Sequence, residues 1–138
     1  LTVEIQNFYE ISPSELVEIS NAVVHPIEYA VALYYNLSVQ DGVFLATDGY
    51  MFNVAGIPAG SIVKKIGDYD TTDLDSFQTA LESYPHGKLV SVQYFLVNNR
   101  NQNFRKMMII DKKWFPFLRA KRNDTKGKWE YYDCRNYA

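Results

Sequence analysis

The sequence predicts an α+β domain: a partly open antiparallel β-barrel or sandwich of five to six strands, capped by two helices and followed by a C-terminal extension. Apolar runs separated by Gly, Asp and Asn turn signals indicate the strands. Two segments with apolar residues at helical spacing indicate the helices. A chain of 138 residues that is 47% hydrophobic and 15% aromatic is large and apolar enough to bury a core.

At the N-terminus, residues 1–5 have a strand pattern. Ser12 can cap a helix that begins at Pro13, with Glu15 three residues after the cap. We expect this helix to be only about one or two turns long. The chain has no initiator Met and no signal-peptide pattern, so we expect it to be a piece of a longer protein.

The run from Val17 to Ala46 predicts a strand, a turn of small residues, a helix and a second strand. The helix spans Pro26 to Tyr35, and Asn36 is a plausible left-handed stop. Residues 42–46 are apolar throughout, as in a buried strand, and Asp48-Gly49 is a turn signal. The apolar face of the helix is predicted to hold Ile27, Ala30, Val31 and Tyr34.

The middle of the chain predicts an irregular connection over 50–60, a strand over 61–66 and the best helix of the chain. Thr72 is its predicted cap, and Pro85-His86-Gly87 ends it. Its apolar stripe is Leu74, Phe77, Ala80, Leu81 and Tyr84.

Two long strands follow, over 88–97 and 103–111, with the polar residues 98–102 as the hairpin loop. We place the main domain at residues 1–111 and a basic, aromatic extension or linker at 112–138. In the extension, residues 119–124 are polar, Lys126-Gly127 is a turn signal, and Trp129 to Tyr132 predicts a last strand.

Charge divides the chain into two unequal parts. Residues 1–87 carry a net charge of −10, and residues 88–138 carry +8. Two explanations are open: the parts lie against each other and attract, or the second part has an anionic partner.

Catalytic and metal chemistry find no support in the residue pattern. His25 and His86 lie at predicted helix boundaries, and no serine lies in a glycine-flanked nucleophile turn, so we expect no catalytic triad. One cysteine, Cys134, and two distant histidines give no metal-ligand spacing, and we expect no metal or cofactor. A single cysteine excludes a disulfide within the chain and favours a reducing compartment. No apolar run approaches the about 20 residues that span a bilayer, so we expect no membrane partner.

A peptide groove is the positive signal. A turn of small residues offers backbone N–H groups that can hold a carboxylate, beside a strand edge that can accept an extended peptide. The edge is predicted at Ala22 to Val24 and the wall of the groove on the helix after Thr72. Alternatively, Val23 and Val24 are core residues and the edge is covered. The candidate peptide-binding residues are Ser20, Asn21, Ala22, Val23, Val24, Phe77, Ala80 and Leu81.

The tail offers a different alternative, because basic and aromatic residues alternate there as in single-strand nucleic-acid binding. The competing interpretation is that its aromatics pack on the core, or that it links to a neighbouring domain. Four acidic residues dilute the basic charge, and we do not expect nucleic acid as a partner. They are Asp111, Asp124, Glu130 and Asp133.

The order of these elements, with loop Asn21–Val24 and helix Asp73–Tyr84 before a hairpin, resembles the PDZ domains of HtrA/Deg-family serine proteases. The resemblance is nearest to the fungal nuclear, pro-apoptotic branch of that family. It covers nearly the whole chain, and the tail motif Arg122–Thr125 is its most specific part. The segments that carry the resemblance are Tyr9–Glu15, His25–Ala30 and Trp114–Trp129.

The resemblance implies a PDZ-like fold and a non-catalytic module that regulates or positions a protease domain. It implies protein C-termini, extended peptides or the neighbouring protease domain as partners. It also implies roles in protein quality control, stress response and apoptosis, in the nucleus and with the cytoplasm as a second compartment. Asn21 stands where the family usually has glycine, and Glu15 and Glu18 would repel a carboxylate. The alternative is therefore a degenerate PDZ domain that is a structural interdomain spacer with a blocked groove.

Overall fold

The computed structural model describes residues 15–113, 115–123 and 125–134. They form one antiparallel sheet of nine strands and three α-helices. The predicted α+β class with an antiparallel, PDZ-like architecture is confirmed, although strands and helices are more numerous than predicted. The strand predicted over 1–5 and the helix start at Ser12-Pro13 lie outside the described residues.

The strands are β1 Glu15–Ile19, β2 Ala22–Pro26, β3 Val43–Thr47, β4 Ser61–Ile66, β5 Tyr69–Asp70, β6 Leu89–Leu96, β7 Asn99–Ile109, β8 Phe117–Asn123 and β9 Lys128–Asp133. The helices are α1 Tyr29–Tyr35, α2 Met51–Ala55 and α3 Leu74–Ser83.

The sheet runs in the order β7-β6-β4-β3-β2-β1-β8-β9, and β5 pairs with β4 beside this path. The main core lies between one face of the sheet and α3, whose Leu74, Phe77, Ala80 and Leu81 are buried as the helical spacing predicted. A smaller core on the other face holds Ile27, Ala32, Ile62 and Phe95. The sheet is therefore covered by different elements on its two faces.

Helix α3 matches the sequence prediction closely, but its cap is Asp73, one residue after Thr72. The Asp73 carboxylate accepts a 2.7 Å hydrogen bond from the backbone N–H of Ser76, and the Ser76 hydroxyl oxygen accepts one from the Asp73 N–H. These two bonds satisfy backbone donors that a helix start leaves free. The bond from the Ser76 backbone N–H, with that from its side chain, lowers the pKa of Asp73.

Two elements near the N-terminus differ from their predictions. Glu15 belongs to strand β1 and not to a helix, because Val17 and Ile19 alternate into the core between two paired strands. Helix α1 begins at Tyr29, since Pro26 still pairs within β2. The predicted apolar face of α1 is correct for two of its four residues: Ile27 is buried and Val31 packs against the same small core. Ala30 and Tyr34 are exposed, and the buried residue of the helix is Ala32. Asn36 ends the helix in the left-handed conformation, with φ 57°, as predicted.

The second half of the chain also differs from its predicted structure. The β6–β7 turn is at Val97-Asn98, and most of the predicted loop 98–102 belongs to β7, with a register shift after Phe95 absorbing the extra residues. Residues 119–123, described from the sequence only as polar, lie in β8. The predicted last strand is confirmed as β9. Because β8 pairs with β1, the sheet continues beyond residue 111, where the domain boundary stays a prediction.

Candidate functional site

The turn between β1 and β2 is the centre of the predicted site. Ser20 and Asn21 both have positive φ, 50° and 64°, and they join the directly paired Ile19 and Ala22. Two left-handed residues between antiparallel strands make a tight hairpin turn of the I′ kind, for which Asn is well suited. Ala22, Val23 and Val24 therefore belong to strand β2 and not to an open loop.

Both oxygen atoms of Ser20 are hydrogen-bonded within the domain. Its carbonyl oxygen accepts a 2.8 Å hydrogen bond from the Tyr50 N–H. Its hydroxyl donates to an Asp111 carboxylate oxygen at 2.9 Å and accepts from the Met51 N–H at 3.2 Å. Ser20 is fully buried, and the carboxylate at this turn belongs to the chain itself. This arrangement leaves the Ser20 hydroxyl engaged before any ligand arrives.

Gly49 packs against the backbone of the same turn. A Cβ atom on Gly49 would lie 2.3 Å from the Ala22 nitrogen, 2.4 Å from the Asn21 carbonyl carbon and 2.6 Å from the Ser20 oxygen. Gly49 also has a φ of +56°. The Asp48-Gly49 turn, which the sequence predicted, thus packs backbone to backbone against the hairpin turn. Only glycine fits both the conformation and the space.

The predicted free edge at Ala22 to Val24 is wrong. Strand β2 pairs with β1 on one side, through Val17↔Val24 and Ile19↔Ala22, and with β3 on the other, through Val24↔Leu45. Its backbone is therefore occupied on both sides. An extended peptide needs an unpaired edge to add a strand. The assignment of these residues to peptide binding stays a prediction, and it requires β1 to move.

The predicted wall of the groove lies in the core. Phe77, Ala80 and Leu81 of α3 are fully buried, and Val17 and Ile19 of β1 belong to the same apolar cluster. Because β1 runs antiparallel to β2 and packs against α3, it lies in the arrangement that an added peptide strand would take. The structure therefore brings two of the predicted turn and strand residues, Ala22 and Val24, into one core cluster with the α3 residues, and β1 contributes to that same cluster.

Arg119 holds β1 in this position, and the sequence analysis did not single it out. It lies on β8, opposite Val17, with its side chain 17% exposed. Its guanidinium donates to the Glu15 carboxylate, to Asp75 at 2.8 Å and to the Gln78 side-chain oxygen at 2.9 Å. One side chain thus joins β8, the first residue of β1 and helix α3. The division of charge along the sequence was the signal that could have indicated these contacts, since Arg119 is basic and Glu15 and Asp75 are acidic.

The environment keeps Arg119 charged. Burial acts to lower the pKa of Arg119, but the hydrogen bonds to Glu15 and Asp75 outweigh burial, and the pKa is raised. A shallow cavity of about 220 Å³ opens beside the guanidinium, below the usual volume of a small-molecule site. Its lining consists of Glu15, Pro26, Asp73, Leu74, Asp75 and Arg119.

Removing the Arg119 guanidinium should loosen the tail from the domain. We expect Arg119→Met, which keeps the apolar stem, to lower the free energy of unfolding by about 1–2 kcal/mol, since three hydrogen bonds at a partly exposed site are lost. Chemical denaturation measures the change. The matched control is Lys121→Met on the same strand, because Lys121 is 62% exposed and 3.9 Å from Glu15. Equal effects of the two substitutions would contradict the role of Arg119.

The remaining predicted features are distributed over the fold. His86 lies 3.7 Å from Asp111, and its Nδ1 accepts a 3.1 Å bond from the Lys112 N–H. Burial raises the pKa of the Cys134 thiol to about 11. Within residues 15–134 as described, no group of three His, Cys, Asp or Glu residues could hold a metal ion. None of the helices that the structure describes is long and apolar enough to cross a bilayer.

The alternating basic and aromatic pattern of the tail does not form one surface. Phe117 is fully buried in the main core, and Arg119 is bonded within the domain. Tyr131 and Tyr132 on β9 are more than half exposed. At least part of the tail thus packs on the domain, one of the two interpretations that the sequence left open.

Comparison with known proteins identifies relatives along nearly the whole chain. The PDZ-like domain family matches residues 10–87. The chain is 33% identical over 135 residues to a protein of Yarrowia lipolytica named pro-apoptotic serine protease NMA111, and 32% identical over 133 residues to the Saccharomyces cerevisiae protein of that name. It is 30% identical over 132 residues to Protease Do-like 7 of Arabidopsis thaliana.

These matches cover 94–95% of this chain but only 12–14% of the length of the three relatives. The similarity therefore concerns one module of much longer proteins.

Proposed function

Because this chain belongs to the PDZ-like domain family, in the lineage of HtrA-like serine proteases, we propose that it is a non-catalytic interaction and regulatory module that acts on a protease domain of a longer protein. Whether the module captures peptides or only positions a neighbouring domain depends on whether its groove is open. The names of the relatives describe full-length proteins as proteases, and the matched segment is a small part of each.

The proposed mode of action rests on the pairing of β2 along both of its sides. With β1 paired to one side of β2 and β3 to the other, a free chain end has no strand edge to join at Ala22 to Val24. Arg119 ties β1 to α3 and β8. We therefore favour the closed form: a degenerate PDZ domain that works as a structural spacer and docks on the neighbouring protease domain.

Capture of protein C-termini or extended peptides is the second candidate. It would use Ser20 to Val24 with Phe77, Ala80 and Leu81. In support of this, Ala22 and Val24 share the main core cluster with the three helix residues. Peptide binding would then require exchange of β1 for the ligand strand. Such an exchange would break the contacts of Val17 and Ile19 as well as the bonds of Arg119, so we expect it to be strongly disfavoured in the isolated domain.

The cellular role is proposed from the relatives. Two of them carry the description pro-apoptotic serine protease. We extend to this chain a role in apoptosis and, from the resemblance to the HtrA/Deg family, in stress response and protein quality control. We propose the nucleus as its main location, with the cytoplasm as a second one.

A titration with peptides distinguishes the two modes. The labelled domain is followed by NMR while peptides ending in a free carboxylate, and their amidated forms, are added. We expect no amide shifts at Ser20 to Val24 or at Phe77 to Leu81. Shifts at both segments that disappear on amidation would establish an open carboxylate site instead. Incubation of the same sample with an unfolded protein should leave that protein uncleaved, and cleavage would contradict the non-catalytic role.

A further inference from the structure

Strand β7 forms one end of the sheet. Along its 11 residues it pairs with β6, and no other strand among the described residues joins it. From 99 to 107 its side chains are exposed except for the half-buried Phe104. Helix α2 contacts β7 from the core side, where Met51 shares the main cluster with Met108. Nothing in the described part of the chain therefore covers the outer edge and outer face of β7 over most of its length.

The backbone of β7 presents hydrogen-bonding groups at this edge. Ile110 donates its N–H to the Lys88 carbonyl at 2.9 Å, which places Ile110 in a hydrogen-bonded pair. Such pairs alternate along an antiparallel ladder, so Ile109, Met107 and Arg105 point their N–H and C=O groups away from β6. Ser91 of β6 lies opposite Met107, and its carbonyl accepts a hydrogen bond from the Gly67 N–H and not from β7. This agrees with the alternation, because the two residues of a non-hydrogen-bonded pair turn their backbone groups away from each other.

The outer face beside this edge is apolar. Leu89 and Ile109 are directly paired, and Met107 follows Ile109 on the same face two residues away. Their exposed fractions are 53%, 59% and 50%. The smaller core around Phe95 covers the other end of β6, so these three side chains form an uncovered continuation of that face.

The charge around the edge has one sign. No Asp or Glu occurs between residues 86 and 110, whereas Lys88, Arg100, Arg105 and Lys106 are all exposed. Arg105 shares the outer face with Met107 and Ile109, because alternate residues of a strand point to the same side. On this face, an added strand would thus lie beside the apolar side chains of Ile109 and Met107 and then beside the positive charge of Arg105.

We propose that the outer edge of β7, from Arg105 to Ile109, binds an extended segment of a partner protein by strand addition. The segment carries apolar residues opposite Met107 and Ile109 and acidic residues opposite Arg105 and Lys106. Charge selects this partner over a second copy of the chain, since two β7 edges would bring their basic residues together. The site lies far along the sheet from β2 and does not depend on the groove.

The first test uses a capped seven-residue peptide, Thr-Val-Thr-Val-Glu-Glu-Thr, called the Val and Glu peptide. Added antiparallel to β7, it places its Val residues opposite Ile109 and Met107 and its Glu residues opposite Lys106 and Arg105. Its counterpart, the Val and Lys peptide, has Lys in place of both Glu residues. NMR titration of the whole chain should shift the amides of Arg105 to Ile109 with the Val and Glu peptide. Met107→Pro removes an outward N–H without removing a β6–β7 bond, whereas Met107→Ala keeps that N–H. We expect Met107→Pro to weaken binding about tenfold relative to Met107→Ala, as the loss of one hydrogen bond implies.

The second test exchanges the charges. Arg105→Glu with Lys106→Glu should lose the Val and Glu peptide and gain the Val and Lys peptide. Lys126→Glu with Lys128→Glu is the matched control, because it reverses the same number of charges at exposed residues of the β8–β9 hairpin. Equal binding of both peptides, unchanged binding by Met107→Pro in a folded domain, or dimerisation of the free chain through β7 in sedimentation would each overturn the proposal. Shifts at β7 without shifts at Ser20 to Val24 would support it whatever the state of the groove.

Discussion

Phe77→Ala is expected to lower the free energy of unfolding by about 3–5 kcal/mol, the range for removing a fully buried aromatic side chain. Phe77 lies in the main core cluster with no exposed surface, between helix α3 and the sheet. Its loss leaves a cavity in the main core, the cluster to which Val17 and Ile19 of β1 also belong. Urea denaturation of the wild type and the variant, with both midpoint and slope fitted, measures the change.

The control for this substitution is Tyr34→Ala, which removes another aromatic ring from a helix. Tyr34 is 82% exposed on α1, so its removal should change stability by no more than about 0.5 kcal/mol. If the two variants had similar midpoints, Phe77 would line an open surface, as the groove prediction requires. A large loss for Phe77→Ala alone supports the closed arrangement in which β1 fills the groove.

Gly49→Ala should destabilise the domain by about 3 kcal/mol. Roughly 1 kcal/mol comes from placing a Cβ on a residue with positive φ, and the remainder from overpacking against backbone that cannot rotate away. The three nearest atoms all belong to residues 20–22. Relief of the clash must therefore push the Ser20-Asn21 turn away from Tyr50 and Met51. Thermal or chemical denaturation measures the loss, and NMR shifts locate it.

Gly127→Ala separates the two contributions. Gly127 has a similar φ of +66°, but a Cβ there would meet nothing within 4 Å. This control should lose only the conformational part, about 1 kcal/mol. Were Gly49→Ala no worse than Gly127→Ala, the two turns would not be packed together as described. The difference between the variants thus measures how firmly the hairpin turn is closed by its neighbour.

Local sequence patterns predicted much of the fold. Helix α3 was recognisable because its apolar stripe, its acidic cap region and its Pro-Gly stop all lie within a few residues of one another. Strands β3, β4, β6 and β9 were recognisable from apolar runs between turn signals. The short elements α2 and β5 were missed, since five and two residues carry too little periodicity to be detected.

The sequence named candidate residues for a peptide site, and their role in binding stays a prediction. Ala22 and Val24 share one core cluster with Phe77, Ala80 and Leu81 of α3 and with Val17 and Ile19 of β1. The predicted edge was wrong because Ser20 and Asn21 can form either an open loop or a two-residue hairpin turn. Local sequence does not separate these outcomes. The hairpin leads β1 directly along β2, and β1 then has its other side covered by β8.

By itself, the sequence determined the α+β class, the helix α3 with its buried stripe, and the resemblance to HtrA-type PDZ domains, because each is written in neighbouring residues. Only the tertiary structure decided that the predicted edge of β2 is paired on both sides, by β1 and by β3. That outcome depends on Arg119 reaching Glu15, 104 residues away, and on Ser20 reaching Asp111, 91 residues away. Contacts between such distant residues leave no periodic pattern in the chain, so they become visible only when the strands are paired.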